Sequence, residues 1–332
     1  MARKVQIIFA DYYEDWVDRY KRGFVRSVTL NKYLIVIKWI RQNYPRLTVN
    51  NIDKRMYQDI LNKYAENHER QTVKDFHALL TGCIREAYDE GYLDRDPTRN
   101  PIFKGVKTRA KKLKFLNKDE LYKLISVFDT PLDKFTYDWF LLMVAKTGMR
   151  FGEAAAIAPR DIDFIDRKIN INKTLSYKKA TENIDYEKTK NESSVRKVSI
   201  DYILCEKLRM VTTHLKPDIP MILQINEFAD SKEEGEPRKL PKRRHKRVFN
   251  STVNNVLSRD CIKAGVPEIT VHSLRHTHAS VLLSEGVSIL SISRRLGHSN
   301  VSTTQETYLH VIKELEAKDE DKIQQAMCRL PM

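Results

Sequence analysis

The stretch HSLRHTHAS, residues 272–280, is the part of this chain that best indicates its fold and its chemistry. Its first histidine and its arginine lie one helical turn apart. His272 and Arg275 therefore share one face of a helix, where an imidazole and a guanidinium can converge on one small anion. A triplet of the form HxxR occurs by chance in many chains, so its meaning depends on the segments around it.

Four further segments carry cationic, imidazole or phenol groups. Arg150 follows a glycine that ends a helix, and its fork of N–H donors matches two phosphate oxygens. Gly297 allows a tight turn that aims the imidazole of His298. Taken one at a time, these residues are ordinary surface or capping groups. The four segments are TGMRFGE (147–153), KTK (188–190), LGH (296–298) and TTQETYLH (303–310).

Tyr308 is the last of these reactive groups along the chain. The chain has 15 tyrosines, most of which are expected in cores or hydrogen-bonded at surfaces. A phenol becomes a nucleophile at phosphorus when nearby cations stabilise the phenolate and the developing charge. Tyr308 would then form a phosphotyrosine ester. Because that ester conserves the energy of the broken phosphodiester bond, a strand can be rejoined without ATP.

The composition favours a polyanionic partner. The 332 residues include 59 Lys and Arg against 44 Asp and Glu, a formal net charge of +15. A nucleic acid explains this excess most simply, while ribosome-like, membrane-surface and solubilising explanations stay open. No run reaches the roughly 18 apolar residues of a membrane span, and the N-terminus lacks a signal peptide. We therefore expect a soluble, cytoplasmic protein with no membrane partner.

Several other chemistries lack support in the sequence. The four cysteines are scattered without a CxxC pair, so neither a zinc site nor a disulfide framework is predicted. The chain contains no P-loop, GxGxxG, HExxH or GxSxG motif. We therefore expect neither a metal nor another cofactor.

The length favours two domains, at about 150 residues per domain. Residues 1–105 are predicted to be helical, with helices at 10–20, from Ser27, at 54–67 and from Arg70 to just before Gly91. Residues 106–116 are predicted to form a basic linker. Its cations are either solvated or lie along a phosphate backbone, and they are Lys107, Arg109, Lys111, Lys112 and Lys114.

Residues 117–332 are predicted to form the second domain. Asn117 and Glu120 resemble a capping box before a helix at 120–128, and an apolar helix at 135–144 stops at Gly148. From residue 253 the pattern is helical again. The fold class is therefore mainly α with a small antiparallel β-sheet (α+β). Alternating apolar residues predict that sheet or hairpin, namely Ile169, Ile171, Val195, Val198 and Ile200.

The five segments in this order resemble the tyrosine recombinase, or phage integrase, family. That family's pattern is an arginine in TGxRxxE, a hairpin lysine, HxxR, LGH and a tyrosine near the C-terminus. The resemblance covers essentially the whole chain. Its helical first domain is similar to the family's SAM-like core-binding domain, and residues 117–332 are similar to the catalytic domain. The resemblance implies a site-specific DNA recombinase for integration or excision of a mobile element, working through a 3′-phosphotyrosyl intermediate without metal or ATP.

The resemblance also implies a role for each matching residue. Arg150 and Arg275 would grip the scissile phosphate and stabilise its transition state. His272 and His298 would add hydrogen bonds there, with His272 also a candidate to assist proton transfer from the tyrosine. Tyr308 would attack the phosphorus.

Lys188 would act as general acid to the leaving 5′-hydroxyl. Family hairpins typically read KTKSSxR, whereas this chain reads KTKNESSVR, so Lys190 is a rival and Lys188 is preferred. Glu153 is expected to brace the neighbouring arginine. His276 and His278 are expected either to contact the site residues from behind or to pack, rather than to be groups at the reaction centre.

Double-stranded DNA is the partner that the resemblance implies, held between the two domains. Strand exchange between two duplexes needs four active sites, which implies a homotetramer on DNA, and an excisionase or DNA-bending accessory protein is compatible with the family. The helix predicted at 312–327 would dock on a neighbouring protomer or on its own domain. Three other functions stay open: a type IB topoisomerase, a non-catalytic DNA-binding protein of the same fold, and a metal-dependent nuclease, which the lack of an Asp/Glu cluster disfavours.

Overall fold

The computed structural model describes residues 6–107, 115–175, 186–188, 192–225, 248–302, 304–305 and 308. The chain separates into two compact units, 1–111 and 112–332. Of the predicted linker cations, Lys107 is described and exposed. Arg109, Lys111, Lys112 and Lys114 lie outside the described residues, as does the predicted helix at 312–327.

The first unit contains four α-helices in its described part: α1 (Phe9–Tyr20), α2 (Ser27–Asn43), α3 (Lys54–Ala65) and α4 (Arg70–Asp89). Each helix turns its regularly spaced apolar residues toward one shared core. Asp53 caps α3, since its Oδ1 accepts a hydrogen bond from the backbone N–H of Met56 at 2.7 Å. The helices expected from the sequence in this region are therefore confirmed.

The second unit is also mainly helical. Its described helices are α5 (Lys118–Ser126), α6 (Tyr137–Thr147), α7 (Phe151–Ala155), α8 (Tyr202–Thr212), α9 (Asn250–Ala264), α10 (Val271–Ser284) and α11 (Ile289–Leu296). The capping box before α5 is present, because Asn117 Oδ1 accepts from Glu120 N and Glu120 Oε2 accepts from Asn117 N. Helix α8 is not among the predicted elements; Asp201 caps it, since its Oδ1 accepts a hydrogen bond from the N–H of Leu204.

Short antiparallel strands complete the second unit. β1 (Ile162–Asp163), β2 (Lys168–Ile171) and β5 (Arg196–Ser199) form one sheet in the order β1-β2-β5, while β3 (Lys173–Leu175) pairs with β4 (Tyr186–Lys188). Ile169 lies opposite Val198, and both are buried. Val195, predicted as a member of this apolar pattern, instead lies before β5 and is 54% exposed. The predicted α+β class with a small antiparallel sheet is confirmed.

Two helix ends position the residues of the candidate active site. α6 packs against α10, and α6 ends at Gly148 while α11 ends at Gly297. Both glycines have left-handed backbone conformation, with φ of +69° and +68°. After α11, residues 301–302, 304–305 and 308 have helical backbone conformation. Within the described ranges, no helix combines the length and apolar character needed to cross a bilayer.

Candidate active site

Arg150 lies between α6 and α7, where it is the residue immediately before the first turn of α7. Its Nη1 donates to Glu153 Oε1 at 2.7 Å, and its Nη2 donates to the carbonyl of Gly297 at 3.1 Å. The Arg150 side chain keeps 31% of its surface exposed. Two hydrogen bonds therefore hold the guanidinium in place, while part of the side chain faces solvent.

Glu153 is the buried centre of an ionic network. One of its oxygens pairs with Arg150, and the other accepts from Arg196 Nη2 at 2.9 Å and from the backbone N–H of Arg150 at 3.0 Å. Burial opposes ionisation of this carboxyl, but the charges and hydrogen bonds of Arg196 and Arg150 overcome it and lower the pKa of Glu153. The expected brace of Arg150 is present, and Arg196 is a second contributor that the sequence analysis did not single out.

Arg275 lies on α10 and is almost completely buried, with 3% of its surface exposed. Its Nη1 donates to the carbonyl of Gly148 at 2.5 Å, and its Nη2 donates to that of Leu296 at 2.8 Å. Burial, and then the charge of Arg150, lower the pKa of Arg275 to about 9, so that the group stays protonated at neutral pH.

The carbonyls that hold the two arginines lie at the C-terminal ends of α6 and α11. These ends carry the negative pole of the helix dipole, so they favour a guanidinium at close range. A Cβ on Gly148 would lie 2.7 Å from His278 Cδ2, and one on Gly297 would lie 2.9 Å from Arg196 Nη1. Glycine is therefore required at both ends for the left-handed conformation and for the close packing.

His298 contacts Arg275 directly. Arg275 Nη2 lies 3.0 Å from His298 Nε2, and because a guanidinium has only donors, Nε2 is the acceptor. Nδ1 therefore carries the hydrogen and donates it to Thr304 Oγ1 at 2.8 Å. Burial, together with the charges of Arg275 and Arg150, lowers the pKa of His298 to about 4. The imidazole is therefore neutral at physiological pH, and its tautomer is fixed.

Tyr308 is buried among apolar side chains of α10 and α11, with 2% of its surface exposed. Burial raises the pKa of the phenol to about 12, against a smaller opposing effect of the charge of Arg275. The hydroxyl Oη lies 2.9 Å from Nδ1 of His276. The resting side chain is thus a neutral phenol with an imidazole at its oxygen.

His276 and His278 differ in what they contact. His278 donates from Nδ1 to the carbonyl of Ala145 at 2.8 Å and accepts from Arg295 Nε at 3.0 Å, so it packs within the second unit as expected. His276 instead contacts a site residue, because its Nδ1 lies 2.9 Å from the Tyr308 hydroxyl. The spacing offered one signal: His276 lies four residues after His272, so the two imidazoles share one face of α10.

His272 lies on the same face of α10 as His276, and its side chain is exposed. Its ring packs edge-on against that of His276, with centroids 4.7 Å apart. Although the side chain is exposed, crowding by protein atoms and the charges of Arg275 and Arg150 lower its pKa. His272 therefore belongs to the same electrostatic cluster as the two arginines.

The lysine candidates are described only in part. The backbone of Lys188 ends β4, where its Cα is paired with that of Lys173. Lys190 lies outside the described residues. Lys173 itself is engaged elsewhere, since its Nζ lies 2.7 Å from Asp161 Oδ2 and 5.2 Å from the ring centroid of Tyr186. The choice between Lys188 and Lys190 stays a prediction in favour of Lys188.

The described residues bring together Arg150, Arg275, His272, His298 and Tyr308 from separate parts of the second unit. The arrangement supplies two fixed cations, neutral imidazoles and a buried phenol. Such a set can bind a phosphate group and stabilise negative charge that develops on it. Among the described residues, no group of three or more His, Cys, Asp or Glu is arranged to hold a metal ion.

Comparison with known proteins identifies integrases among the relatives of this chain. A sequence profile described as the phage integrase family matches residues 114–314. The ICEBs1 integrase of Bacillus subtilis (strain 168) is 26% identical over 294 residues, which cover 88% of this chain and 76% of that protein. The integrase of Staphylococcus phage L54a is 24% identical over 332 residues, which cover 94% of this chain and 91% of that protein.

Solved structures share the fold. The Tn1549 transposon integrase in complex with transposon right end DNA has a TM-score of 0.67 at 15% identity, covering 91% of this chain and 95% of that one. A lambda integrase tetramer bound to a Holliday junction has a TM-score of 0.59 at 18% identity, covering 92% of this chain and 78% of that one. At these identities the likeness establishes the fold alone.

Proposed function

The chain belongs to the phage integrase family, and from this premise we propose that it is a site-specific DNA recombinase of a mobile element. The reaction would cleave and rejoin DNA through a covalent 3′-phosphotyrosyl intermediate. One observation supports the proposal above all. The guanidinium groups of Arg150 and Arg275 donate to the adjacent carbonyls of Gly297 and Leu296. Arg275 also contacts the imidazole of His298, in the segment that leads to Tyr308. That is the charge arrangement that a phosphodiester under attack by a phenol requires.

The site residues divide the reaction between them. Arg150 and Arg275 would bind the non-bridging oxygens of the scissile phosphate, with Arg275 held rigidly by backbone carbonyls and Arg150 reaching in from its partly exposed position. His272 would donate a further hydrogen bond to the phosphate. His298 would act through Arg275, because its Nε2 accepts from that guanidinium while its Nδ1 donates to Thr304. Tyr308 Oη would form the new bond to phosphorus as the bond to the 5′-oxygen breaks. Fixed cations of this kind stabilise the transition state without reorganising during the step.

The leaving 5′-oxygen must gain a proton. Lys188 would supply it as general acid, with Lys190 the alternative. Rejoining reverses the step: the 5′-hydroxyl attacks the phosphotyrosine, returns its proton to the lysine, and releases the tyrosine. No energy source is consumed because each broken ester is replaced by another.

DNA is the proposed partner, in line with relatives whose structures contain DNA. Residues 1–105 would bind one side of the duplex and residues 117–332 the other, joined by a linker at 106–116. The linker cations Lys107, Arg109, Lys111, Lys112 and Lys114 would contact phosphates, so affinity should fall steeply as salt rises. A homotetramer on DNA follows from the need for four active sites. An excisionase or a DNA-bending protein would be an accessory factor.

The test is trapping of the covalent intermediate. A labelled, nicked duplex containing the attachment site, mapped first by footprinting, is incubated with the protein in EDTA. The wild-type protein should form a covalent adduct, and Tyr308→Phe should form none. Tyr186→Phe is the matched control, because the Tyr186 hydroxyl is also buried but has no hydrogen-bond partner among the described residues. A wild-type protein that binds this DNA without forming an adduct, or a Tyr308→Phe variant that forms one, overturns the proposal.

A further inference from the structure

We propose that His276 is the general base for Tyr308: its Nδ1 takes the hydroxyl proton as Oη attacks phosphorus and returns it when the strand is rejoined. This inference rests on the proposed function and deepens it. It replaces His272, the residue that the sequence pattern put forward for the same task, with the next histidine along the helix.

Geometry is the first argument. Oη of Tyr308 and Nδ1 of His276 are 2.9 Å apart, within the reach of a general base. Tyr308 is nearly sealed from solvent, so bulk water is not available at its oxygen. Burial also keeps the phenol protonated, because it raises the pKa to about 12. The nucleophile therefore needs a base that is already in place, and His276 occupies that place.

The other histidines of the cluster, His298 and His272, contact groups other than the Tyr308 hydroxyl. His298 uses Nε2 to accept from Arg275 and Nδ1 to donate to Thr304. His272 contacts His276 ring to edge, at a centroid distance of 4.7 Å, and its own side chain is exposed. His272 therefore lies between His276 and solvent, where it can help to carry the proton away and bring it back.

The proton inventory of the step is balanced. The Tyr308 O–H bond breaks, and the proton moves to Nδ1 of a neutral His276 that carries its other hydrogen on Nε2. The Oη–P bond forms and the P–O5′ bond breaks, with the 5′-oxygen protonated by the general acid, proposed as Lys188. His276 is left as an imidazolium, whose ring packs against that of His272. On rejoining, it returns its proton to the departing phenolate.

The experiment isolates nucleophile activation from leaving-group protonation. A bridging 5′-phosphorothiolate duplex carries a leaving group that needs no proton, so adduct formation on it reports the attack by Tyr308. His276→Ala should slow this step by about 10²–10⁴-fold, the range typical of general base catalysis. His276→Asn should be equally slow, because its amide oxygen can accept from the hydroxyl but is not basic. Added imidazole should restore much of the rate of His276→Ala.

His278→Asn is the matched control, since His278 lies on the same helix and contacts no part of Tyr308 through its two ring nitrogens. Imidazole should not accelerate this variant. A fluorinated tyrosine at position 308, whose phenol is more acidic, provides a second measurement and should reduce the defect of His276→Asn. That comparison keeps the inference testable even if the alanine variant folds poorly.

The outcomes separate the inference from the function on which it rests. If the wild-type protein forms no adduct, the proposed recombinase activity fails. If the wild-type protein forms the adduct and His276→Asn forms it at a similar rate, His276 merely orients the hydroxyl and the general-base assignment is overturned. An adduct rate in His276→Ala that is reduced but insensitive to imidazole and to tyrosine fluorination overturns it as well.

Discussion

Replacing Gly148 by alanine tests how the end of α6 holds Arg275. The left-handed conformation at this position, with φ of +69°, costs an alanine about 1–2 kcal/mol. The added Cβ would also lie 2.7 Å from His278 Cδ2 and 2.8 Å from Leu296 Cδ2, and crowding of this kind in a packed interior costs about 1–3 kcal/mol. A smaller entropic gain from stiffening the unfolded chain offsets about 0.4–1 kcal/mol. The midpoints of these ranges give a net loss of about 3 kcal/mol in the free energy of unfolding.

Gly265→Ala is the matched control. Gly265 ends α9 with φ of +66°, but a Cβ there meets no described atom within 4 Å. Only the conformational strain applies, so the expected loss is about 1 kcal/mol. Urea denaturation followed by tryptophan fluorescence can compare the two variants, because Trp139 is fully buried on α6.

The functional consequence separates the two variants further. The carbonyl of Gly148 accepts the 2.5 Å hydrogen bond of Arg275, so movement of this carbonyl should displace the guanidinium. We expect Gly148→Ala to form the covalent DNA adduct at least about tenfold more slowly, as the loss of about 1.4 kcal/mol of transition-state stabilisation would give, and Gly265→Ala to keep the wild-type rate. Equal destabilisation of both variants would refute the steric argument. Normal cleavage by a destabilised Gly148→Ala would refute the link to Arg275.

Three further changes have defined expectations. Glu153→Gln leaves Arg196 facing a neutral amide in a buried site, so urea denaturation should show a loss of about 3–5 kcal/mol, and a loss below 1 kcal/mol would contradict the network. Burial lowers the pKa of His278 to about 3, so as the pH falls below 6.5 the unfolded chain binds a proton at this histidine before the folded chain does. The free energy of unfolding should therefore fall by about 2 kcal/mol between pH 7.5 and pH 5. The His278→Asn variant should lose that part of the pH dependence. Asp53→Ala removes the cap that holds Met56 N and should lower thermal stability by about 1 kcal/mol, whereas Asp53→Ser should retain most of it.

Much of the fold could be predicted because helix signals are local. The spacing of apolar residues marked the four helices of the first unit, and Asn117 with Glu120 marked the start of α5. Gly148 was identified as a helix stop because a C-terminal glycine is recognisable from its neighbours alone. Helix α8 was missed because several of its large apolar residues, including Tyr202 and Ile203, are exposed and obscure the apolar face. Val195 was misplaced because alternation alone does not show where a short strand begins.

The sequence by itself determined most of the helices, the capping box before α5, the glycine stop of α6 and the set of reactive groups, because periodicity and capping act over about four residues. Tertiary packing alone decided how those groups are used. It buried Arg275 on backbone carbonyls 127 and 21 residues away, left Arg150 partly exposed, and put His276 on the hydroxyl of Tyr308, 32 residues further along the chain. Contacts at these separations depend on how α6, α10 and α11 pack together, and no local pattern in the sequence encodes which ring nitrogen reaches which oxygen.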